Sequence, residues 1–290
     1  MAVPPSPAVI LTKAAARARS LRGRVTVVKL GGSALEDPAA TRGTLDCLAA
    51  LDTLGVRLVV VHGGGKPIDR AMAAANIEPV KILGRRYTDD ATLEIVVRVL
   101  GEINADIVGR LRELGSEGSW YGYGPFPLTG ERLMLPGLDL QPVDLGRVGR
   151  VTAVDTESLD KLLHADFHMP VLPSLALAAD GGWLNVNADT AAAAVAGAMH
   201  AEAVLFLTDT PGVLARYPDP ASRIDRLTRA ECDELIRDGT IAGGMIPKVE
   251  ACFEALDAGA SRAVILDGRD PYALLAEYVG ANRPGTEIVP

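Results

Sequence analysis

Short, continuous runs of apolar and β-branched residues recur along the chain and predict buried strands. The runs are Val25–Leu30, Leu58–Val61, Val171–Leu175, Val204–Leu207 and Ala263–Leu266. Because apolar residues do not alternate with polar ones within a run, both faces of each strand must be covered, as they are in a parallel sheet.

Between these runs the apolar positions follow a helical period. The predicted helices are Ala39–Leu54, Ile68–Ala75, Ala91–Leu114, Ala188–Met199, Arg229–Asp238, Pro247–Ala258 and Tyr272–Val279. Strands that alternate with helices indicate an α/β fold with a largely parallel sheet and helices on both sides. Sheets of this kind bind ligands at the carboxyl ends of their strands.

The segment Gly115–Gly149 breaks the alternation. It is rich in Gly and Pro and carries Trp120, Tyr121 and Tyr123, which favours turns and short hairpins over a binding surface. Two interpretations stay open, a lid or partner-contact region and irregular hairpins without a catalytic role.

The first 24 residues contain Pro, Ala and Arg, and no acidic residue precedes Glu36, a composition also found in transit peptides. Since the first predicted strand begins at Val25 without a spacer, we favour instead a surface helix over about Ala8–Leu21. Its weak apolar face would consist of Ile10, Leu11, Ala14 and Leu21.

Composition narrows the class of protein. The chain has 290 residues, 48% hydrophobic and 23% charged, as expected of a globular protein with one or two packed lobes. Its formal net charge of -8 argues against a nucleic-acid partner, because nucleic-acid binders usually carry a basic surplus. No apolar run reaches the length of a membrane span, so no membrane partner is expected.

The three cysteines are Cys47, Cys232 and Cys252, which lie far apart and form no CxxC pair. All three fall in predicted helices. We therefore interpret them as structural thiols of a protein in a reducing cytoplasm.

Glycines follow the first two predicted strands directly. Lys29 precedes Gly31 and Gly32, and His62 precedes Gly63–Gly65. Glycine lets main-chain N–H groups approach phosphate oxygens, although the chain contains no GxxxxGK[ST] loop. We interpret His62 as a core residue that fixes its turn.

Four later segments place polar or glycine residues at strand ends or helix starts. They are Gly84–Asp89, Asn185–Thr190, Thr208–Val213 and Gly243–Lys248. The pair Arg85 and Arg86 suits a bidentate clamp on a carboxylate. Helix capping would explain Asn187 or Asp189, but it explains Asn185 less well.

Each of these features has an ordinary structural explanation when it is taken alone. A lysine can end a strand at the surface, and paired arginines are common on protein surfaces. All of them, however, fall at the ends of strands or the starts of helices, which in a parallel α/β fold means one edge of the sheet. Their shared position predicts a single phosphate-handling site.

Seven ordered motifs resemble the amino acid kinase family, and within it the acetylglutamate kinases. They are VVKLGG, VVVHGGG, RRYTD, NVNADT, LTDTPGVL, GGMIPKVEAC and ILDGR, and they cover the chain from about Val25 to its end. The resemblance implies a three-layer αβα sandwich. It also implies an N-terminal extension over residues 1–22 that is helical and contacts other subunits, a lobe over 23–177 that binds the acyl amino acid and forms a dimer, and a lobe over 178–290 that binds MgATP.

The resemblance also implies roles for individual residues. Lys29 and Lys248 would flank the transferring phosphoryl group, and Asp189 would orient both lysines. Gly64, Gly65, Arg86 and Asn185 would hold the acyl amino acid. The nucleotide would be lined by Gly31, Gly32, Thr208, Asp209, Gly212, Val213, Gly243 and Met245.

The implied reaction is phosphorylation of the side-chain carboxylate of N-acetyl-L-glutamate by ATP, the second step of arginine biosynthesis. Mg²⁺ would be carried by the nucleotide, no protein metal site is expected, and the assembly would be a homodimer or a hexamer of dimers. Two alternatives remain, a kinase for carrier-protein-bound aminoadipate and a non-catalytic amino-acid sensor. Leu128–Arg132 stands where the family commonly has Ser-Gly-Lys-Asp-Gly, which leaves acceptor preference open. Asp270–Tyr272 stands where arginine-inhibited members typically have a histidine, which leaves arginine feedback open.

Overall fold

The computed structural model of the chain describes residues 6–82, 84–119, 126–136, 142–164, 168–279 and 283–290. The helices in these ranges are α1 (Pro7–Leu21), α2 (Gly32–Glu36), α3 (Pro38–Thr53), α4 (Gly65–Ala74), α5 (Asp90–Glu113), α6 (Thr156–His164), α7 (Ala188–Ala198), α8 (Arg229–Arg237), α9 (Ile246–Asp257) and α10 (Ala273–Val279). Short 3₁₀ turns occupy Pro220–Ser222 and Gly243–Met245.

Fourteen strands lie within the described ranges. They are β1 (Val25–Leu30), β2 (Arg57–His62), β3 (Lys81–Ile82), β4 (Arg85–Arg86), β5 (Gly118–Ser119), β6 (Leu128–Pro136), β7 (Pro142–Val154), β8 (Met169–Pro173), β9 (Leu175–Leu177), β10 (Trp183–Val186), β11 (Ala203–Thr208), β12 (Arg226–Thr228), β13 (Ala263–Asp267) and β14 (Thr286–Val289). The main sheet has the order β12-β14-β13-β11-β1-β2-β8-β5, β10-β7-β6-β9 close into a small barrel, and β3 and β4 form a hairpin.

The main sheet is mostly parallel and is buried on both faces, which confirms the predicted fold class. Only β12 and β14 run against the other strands of this sheet. Along β1, Val25 and Val27 belong to one apolar layer with α7 and α9, whereas Val28 and Leu30 belong to the opposite layer with α3 and α10. Helices on both sides thus explain why the strand runs are continuously apolar.

The segment Gly115–Gly149 was predicted to form short hairpins, and this prediction was wrong about the length of the strands. The strands β6 and β7 pair as a long antiparallel hairpin that forms part of the barrel. The helix α6 was not predicted, and the predicted strand Val171–Leu175 is in fact interrupted at Ser174, between β8 and β9. Residues Trp120, Tyr121 and Tyr123 lie outside the described residues, so the lid interpretation stays a prediction.

The N-terminal helix was predicted correctly, but its predicted apolar face is buried only at the C-terminal end. Leu21 is 1% exposed, whereas Leu11 is 69% exposed. The helix therefore packs on the core through its C-terminal end, where α1 contacts α10. None of the described helices is long and apolar enough to cross a membrane.

The three cysteines are free and buried, as expected of structural thiols. Burial raises the pKa of Cys47 and of Cys232 to about 11, and it raises the pKa of Cys252 well above the ordinary value. The thiolate is the reactive form of cysteine, so these three side chains are poor nucleophiles at neutral pH.

The predicted boundary between the two lobes, at residues 177 and 178, separates strands that pair with each other. The strand β10 follows the boundary, yet it pairs with β9 and with β7 of the barrel. Residues Trp183–Val186 therefore group with the barrel, and the division of the chain into two lobes stays a prediction.

Candidate active site

Two lysines from distant parts of the chain meet at one buried carboxylate. Lys29 lies on β1 and Lys248 in the first turn of α9, and the Asp189 carboxylate stands between them near the start of α7. Lys29 Nζ lies 2.8 Å from Asp189 Oδ1, as an ion pair without the alignment of a hydrogen bond. Lys248 Nζ donates a hydrogen bond of 3.2 Å to Asp189 Oδ2. The structure thus brings together the three residues predicted to handle the phosphoryl group.

The charges of this trio stabilise one another. Burial alone raises the pKa of the Asp189 carboxyl, but the ammonium groups of Lys29 and Lys248 outweigh burial, so its pKa lies below the ordinary value. One carboxylate holds two ammonium groups, which leaves a net positive charge in a buried place. Such a centre favours an anion that approaches both lysines.

The cap of α7 leaves the Asp189 side chain available to the lysines. Asn187 Oδ1 accepts hydrogen bonds from the main-chain N–H groups of Asp189, at 2.8 Å, and of Thr190, at 3.2 Å. Capping therefore explains Asn187 and not Asp189, which decides the question that the sequence had left open. Asp189 is the second residue of the helix, where the positive end of the helix dipole also favours a carboxylate.

At two positions near the site, steric crowding explains why the residue is glycine. A Cβ atom on Gly31 would lie 2.5 Å from the carbonyl oxygen of Leu207, so the turn after β1 can pass the neighbouring strand only without a side chain. Gly212 has φ of +132°, and a Cβ there would lie 2.4 Å from Thr286 Oγ1. Both turns lie at the carboxyl edge of the main sheet, beside the lysines.

A first cavity opens on one side of the trio, at the carboxyl ends of β1, β2 and β8. It has a volume of about 430 Å³. Its lining includes Lys29, Gly31, Gly32, Gly64, Gly65, Arg86, Asn185 and Asp189, together with Glu36, Lys66, Asp69, Lys81, Arg85 and Ser174. Lysine and arginine side chains thus outnumber carboxylates around a space that small molecules can enter.

Arg86 enters the first cavity with its orientation already fixed. Its guanidinium pairs with the Asp69 carboxylate on α4, and Nη1 contacts Met72 Sδ at 3.0 Å. Asn185, which also lines the cavity, donates through Nδ2 to Thr88 Oγ1 at 3.1 Å. An arginine held in this way is suited to bidentate recognition of a carboxylate.

A second cavity of about 580 Å³ lies on the other side of Lys248. Its lining includes Asp209, Gly212, Val213, Gly243, Met245 and Lys248, with Thr210, Leu214, Tyr217, Thr240 and Ala242 in addition. Lys248 lines this cavity and also binds Asp189, which lines the first one. The two cavities therefore meet at the trio.

Not all of the residues predicted to line the nucleotide lie along the second cavity. Gly31 and Gly32 line the first cavity rather than the second. Thr208 lines neither cavity: it is buried, and its Oγ1 donates to Asp209 Oδ1 at 3.0 Å. Ser174 was missed, although it follows the buried strand β8 and the strand-end rule could have found it.

His62 is a structural residue, as predicted. It is fully buried, and its Nδ1 lies 3.2 Å from the carbonyl oxygen of Gly63, to which it donates. Asn104 on α5 donates to His62 Nε2 at 3.1 Å and to the carbonyl oxygen of Val171 at 2.8 Å. Asn104 thus joins α5 to the neutral ring of His62 on β2 and to the main chain of β8.

Burial lowers the pKa of His62 from 6.5 to about 4. Between pH 6.5 and pH 4, the His62 side chain binds a proton in the unfolded chain but not in the folded chain. Stability must therefore fall as the pH drops from 6.5 towards 4. Between pH 7 and pH 5 we expect His62 to account for a loss of about 2 kcal/mol in the free energy of unfolding. Urea unfolding of the wild type and of His62→Gln at both pH values measures this loss. If the loss is equal in the two proteins, His62 is not its source.

Within the described ranges, no group of three or more His, Cys, Asp or Glu side chains is placed to hold a metal ion.

Comparison with known proteins gives consistent matches along nearly the whole chain. A profile of the amino acid kinase family matches residues 24–267. The chain is 37% identical over 280 residues to the acetylglutamate kinase of Brachyspira hyodysenteriae, with 96% of this chain and 95% of that protein covered. It is 41% identical over 286 residues to the acetylglutamate kinase of Azorhizobium caulinodans, with 96% and 94% covered.

Solved structures share the fold. The N-acetylglutamate synthase from Neisseria gonorrhoeae, complexed with coenzyme A and N-acetyl-glutamate, matches with a TM-score of 0.85 and 27% identity over 99% of this chain. This chain spans 64% of that synthase chain. Carbamate kinase from Giardia lamblia bound to AMP-PNP matches with a TM-score of 0.62 and 18% identity, over 92% of this chain and 98% of that chain. At this identity the match shows a shared fold only.

Proposed function

The chain belongs to the amino acid kinase family, among the acetylglutamate kinases, and we propose from this membership that it phosphorylates N-acetyl-L-glutamate with ATP. The side-chain carboxylate of the acceptor attacks the γ-phosphorus of ATP. The bond from that phosphorus to the bridging oxygen breaks, and the products are N-acetylglutamyl 5-phosphate and ADP. In this role the protein serves the second step of arginine biosynthesis.

The observation that carries this proposal is the trio at the junction of the two cavities. Phosphoryl transfer depends on positioning and on stabilising negative charge spread over the phosphoryl oxygens. Lys29 and Lys248 supply that charge from opposite sides, and the Asp189 carboxylate holds both ammonium groups within 3.2 Å. A phosphoryl group that passes between the cavities must pass the two lysines.

The first cavity suits an acidic acceptor. The Arg86 guanidinium would bind a carboxylate of N-acetylglutamate, Asn185 would donate to it, and the main-chain N–H groups of Gly64 and Gly65 would line its path. The attacking carboxylate is ionised at neutral pH and is already a nucleophile. No general base is needed, which agrees with the neutral and buried state of His62.

The second cavity would hold the nucleotide. Asp209, Gly212, Val213, Gly243 and Met245 line it, and Lys248 stands at its inner end. ATP would enter as its Mg²⁺ complex, with the ion carried by the phosphates. Residues 23–177 would then form the acceptor lobe and residues 178–290 the nucleotide lobe.

The rival functions receive less support. A non-catalytic sensor has no use for two lysines held at one buried carboxylate, where their mutual repulsion has to be offset. A kinase for carrier-protein-bound aminoadipate would act on a different acyl amino acid, whereas the curated relatives named above are acetylglutamate kinases. For assembly we propose a homodimer, or a hexamer of dimers joined through α1.

A coupled assay of ADP release tests this function. We expect release that depends on N-acetylglutamate, with rates at least about a hundredfold lower for glutamate, aspartate and carbamate, because a site built for one acyl group rejects analogues that leave its polar groups unpaired. Each acceptor is measured with and without arginine, which also tests feedback. Equal rates for N-acetylglutamate and for a control without acceptor would contradict the proposal.

A further inference from the structure

Tyr217 is an exposed aromatic residue at the edge of the second cavity. It lines that cavity together with Val213, Leu214 and Met245, yet 78% of its surface is accessible. Val213 and Leu214 are buried by contrast. The aromatic ring therefore stands where the cavity opens to solvent, and the buried residues form the wall behind it.

The loop that carries Tyr217 is held by its own hydrogen bonds. Ser222 closes it, since the main-chain N–H of Arg216 donates to Ser222 Oγ at 2.9 Å and the N–H of Ala215 donates to the Ser222 carbonyl oxygen at 2.9 Å. The N–H of Asp219 donates to the carbonyl oxygen of Arg216 at 2.7 Å. Tyr217 lies inside these closures, so its main chain is held in place before a ligand arrives.

The two ends of the second cavity differ in chemistry. At the inner end, Lys248 is 19% exposed and bound to the buried carboxylate of Asp189. This end attracts phosphate. At the solvent end, the ring of Tyr217 lines the cavity, and the apolar side chains of Leu214 and Val213 form the wall behind it. A nucleotide with its phosphates at Lys248 must therefore extend its base towards the apolar, aromatic end.

We infer that Tyr217 stacks on the nucleobase of ATP and so contributes to the affinity and placement of the nucleotide. The inference rests on the proposed function, because that function puts ATP in the second cavity. An aromatic ring at a solvent edge gains stability when a base covers its face, and this gain does not depend on which base is present. Tyr217 is thus a binding residue, and it takes no part in the phosphoryl transfer itself.

Calorimetric titration with ADP tests the inference. We expect Tyr217→Ala to raise the Kd for ADP about tenfold, since stacking on a single base is usually of this size. Tyr217→Phe keeps the ring and should bind ADP within about twofold of the wild type. Tyr272→Ala is the matched control, because Tyr272 is 59% exposed and lines neither cavity.

Inorganic tripolyphosphate, which has phosphates and no base, separates stacking from phosphate binding. Its inhibition constant against ATP should be the same for Tyr217→Ala and the wild type. The inference is overturned if ADP binds Tyr217→Ala as tightly as the wild type, if Tyr217→Phe is as weak as Tyr217→Ala, or if tripolyphosphate weakens in step with ADP.

This outcome is independent of the acceptor. If the wild type binds ADP and Tyr217→Ala does so about tenfold more weakly, while N-acetylglutamate elicits no ADP release, the inference stands and the proposed acceptor is wrong. If N-acetylglutamate elicits release and the two proteins bind ADP equally, the proposed function stands and stacking is wrong.

Discussion

Lys248→Ala is expected to lower kcat by roughly a hundredfold to a thousandfold, the loss seen when one preorganised charge-stabilising donor is removed from an active site. The Lys248 ammonium lies 3.2 Å from Asp189 Oδ2, at the junction of the two cavities. In the proposed reaction it would meet the phosphoryl group there, at the stage when that group carries most spread charge. Because the ammonium matters more in the transition state than in the bound complex, KM for ATP and for N-acetylglutamate should change only modestly.

Steady-state kinetics with both substrates varied measures this effect, and two variants make it specific. Lys248→Arg keeps the charge but replaces a compact ammonium with a planar guanidinium, so it should recover part of the lost kcat. Lys161→Ala removes an exposed lysine of α6 and should leave kcat unchanged. If Lys248→Ala turns over at nearly the wild-type rate, Lys248 does not stabilise the transferring group.

The strands of the main sheet could be predicted closely because burial on both faces requires a continuous run of apolar residues, which is easy to recognise in the sequence. The prediction for Val25–Leu30 matches β1 at both ends, since every residue of the strand is buried between two layers of helix. The helix α6 was missed for the converse reason. Only Leu159 and Leu163 of its nine residues are buried, and so short an apolar face is too weak a pattern to recognise a helix.

The long hairpin of the barrel was misjudged because its glycines resemble turn signals. In β7, Gly149 is present for another reason, since a Cβ there would lie 2.7 Å from Leu184 Cβ on β10. The glycine allows two strands of the barrel to pack closely. A single sequence does not show whether a glycine serves a turn or such a contact.

The rule that sites form at strand ends placed the segments of Lys29, Asp189 and Lys248 at one edge of the sheet, but only the family motifs assigned roles to these three residues. The structure adds the geometry, and it also adds residues that no motif contains. The Asp69 carboxylate that orients Arg86 lies on α4, and its role follows only from the contact between the two side chains. Tyr217 likewise gave no signal, since a single exposed tyrosine in a loop has no distinguishing pattern.

Asp189→Asn should damage both turnover and stability. The amide keeps the shape of the side chain but removes the negative charge that Lys29 and Lys248 share, so the buried ammonium of Lys29 and the half-buried ammonium of Lys248 face each other without compensation. Leaving buried charges unpaired usually costs about 3 kcal/mol or more in the free energy of unfolding. We expect a loss of this size in urea unfolding, and a fall in kcat of at least about a hundredfold as the lysines move apart.

An added anion distinguishes this cause from general damage to the fold. Inorganic phosphate can supply negative charge between the two lysines, so it should raise the Tm of Asp189→Asn by more than it raises the Tm of the wild type, in which Asp189 already neutralises part of the charge. Asp106→Asn is the matched control: it breaks the exposed pair with Arg110 on α5 and should change stability by less than about 1 kcal/mol. A kcat near the wild-type value for Asp189→Asn, or equal stabilisation of both proteins by phosphate, would show that the lysines do not depend on this carboxylate.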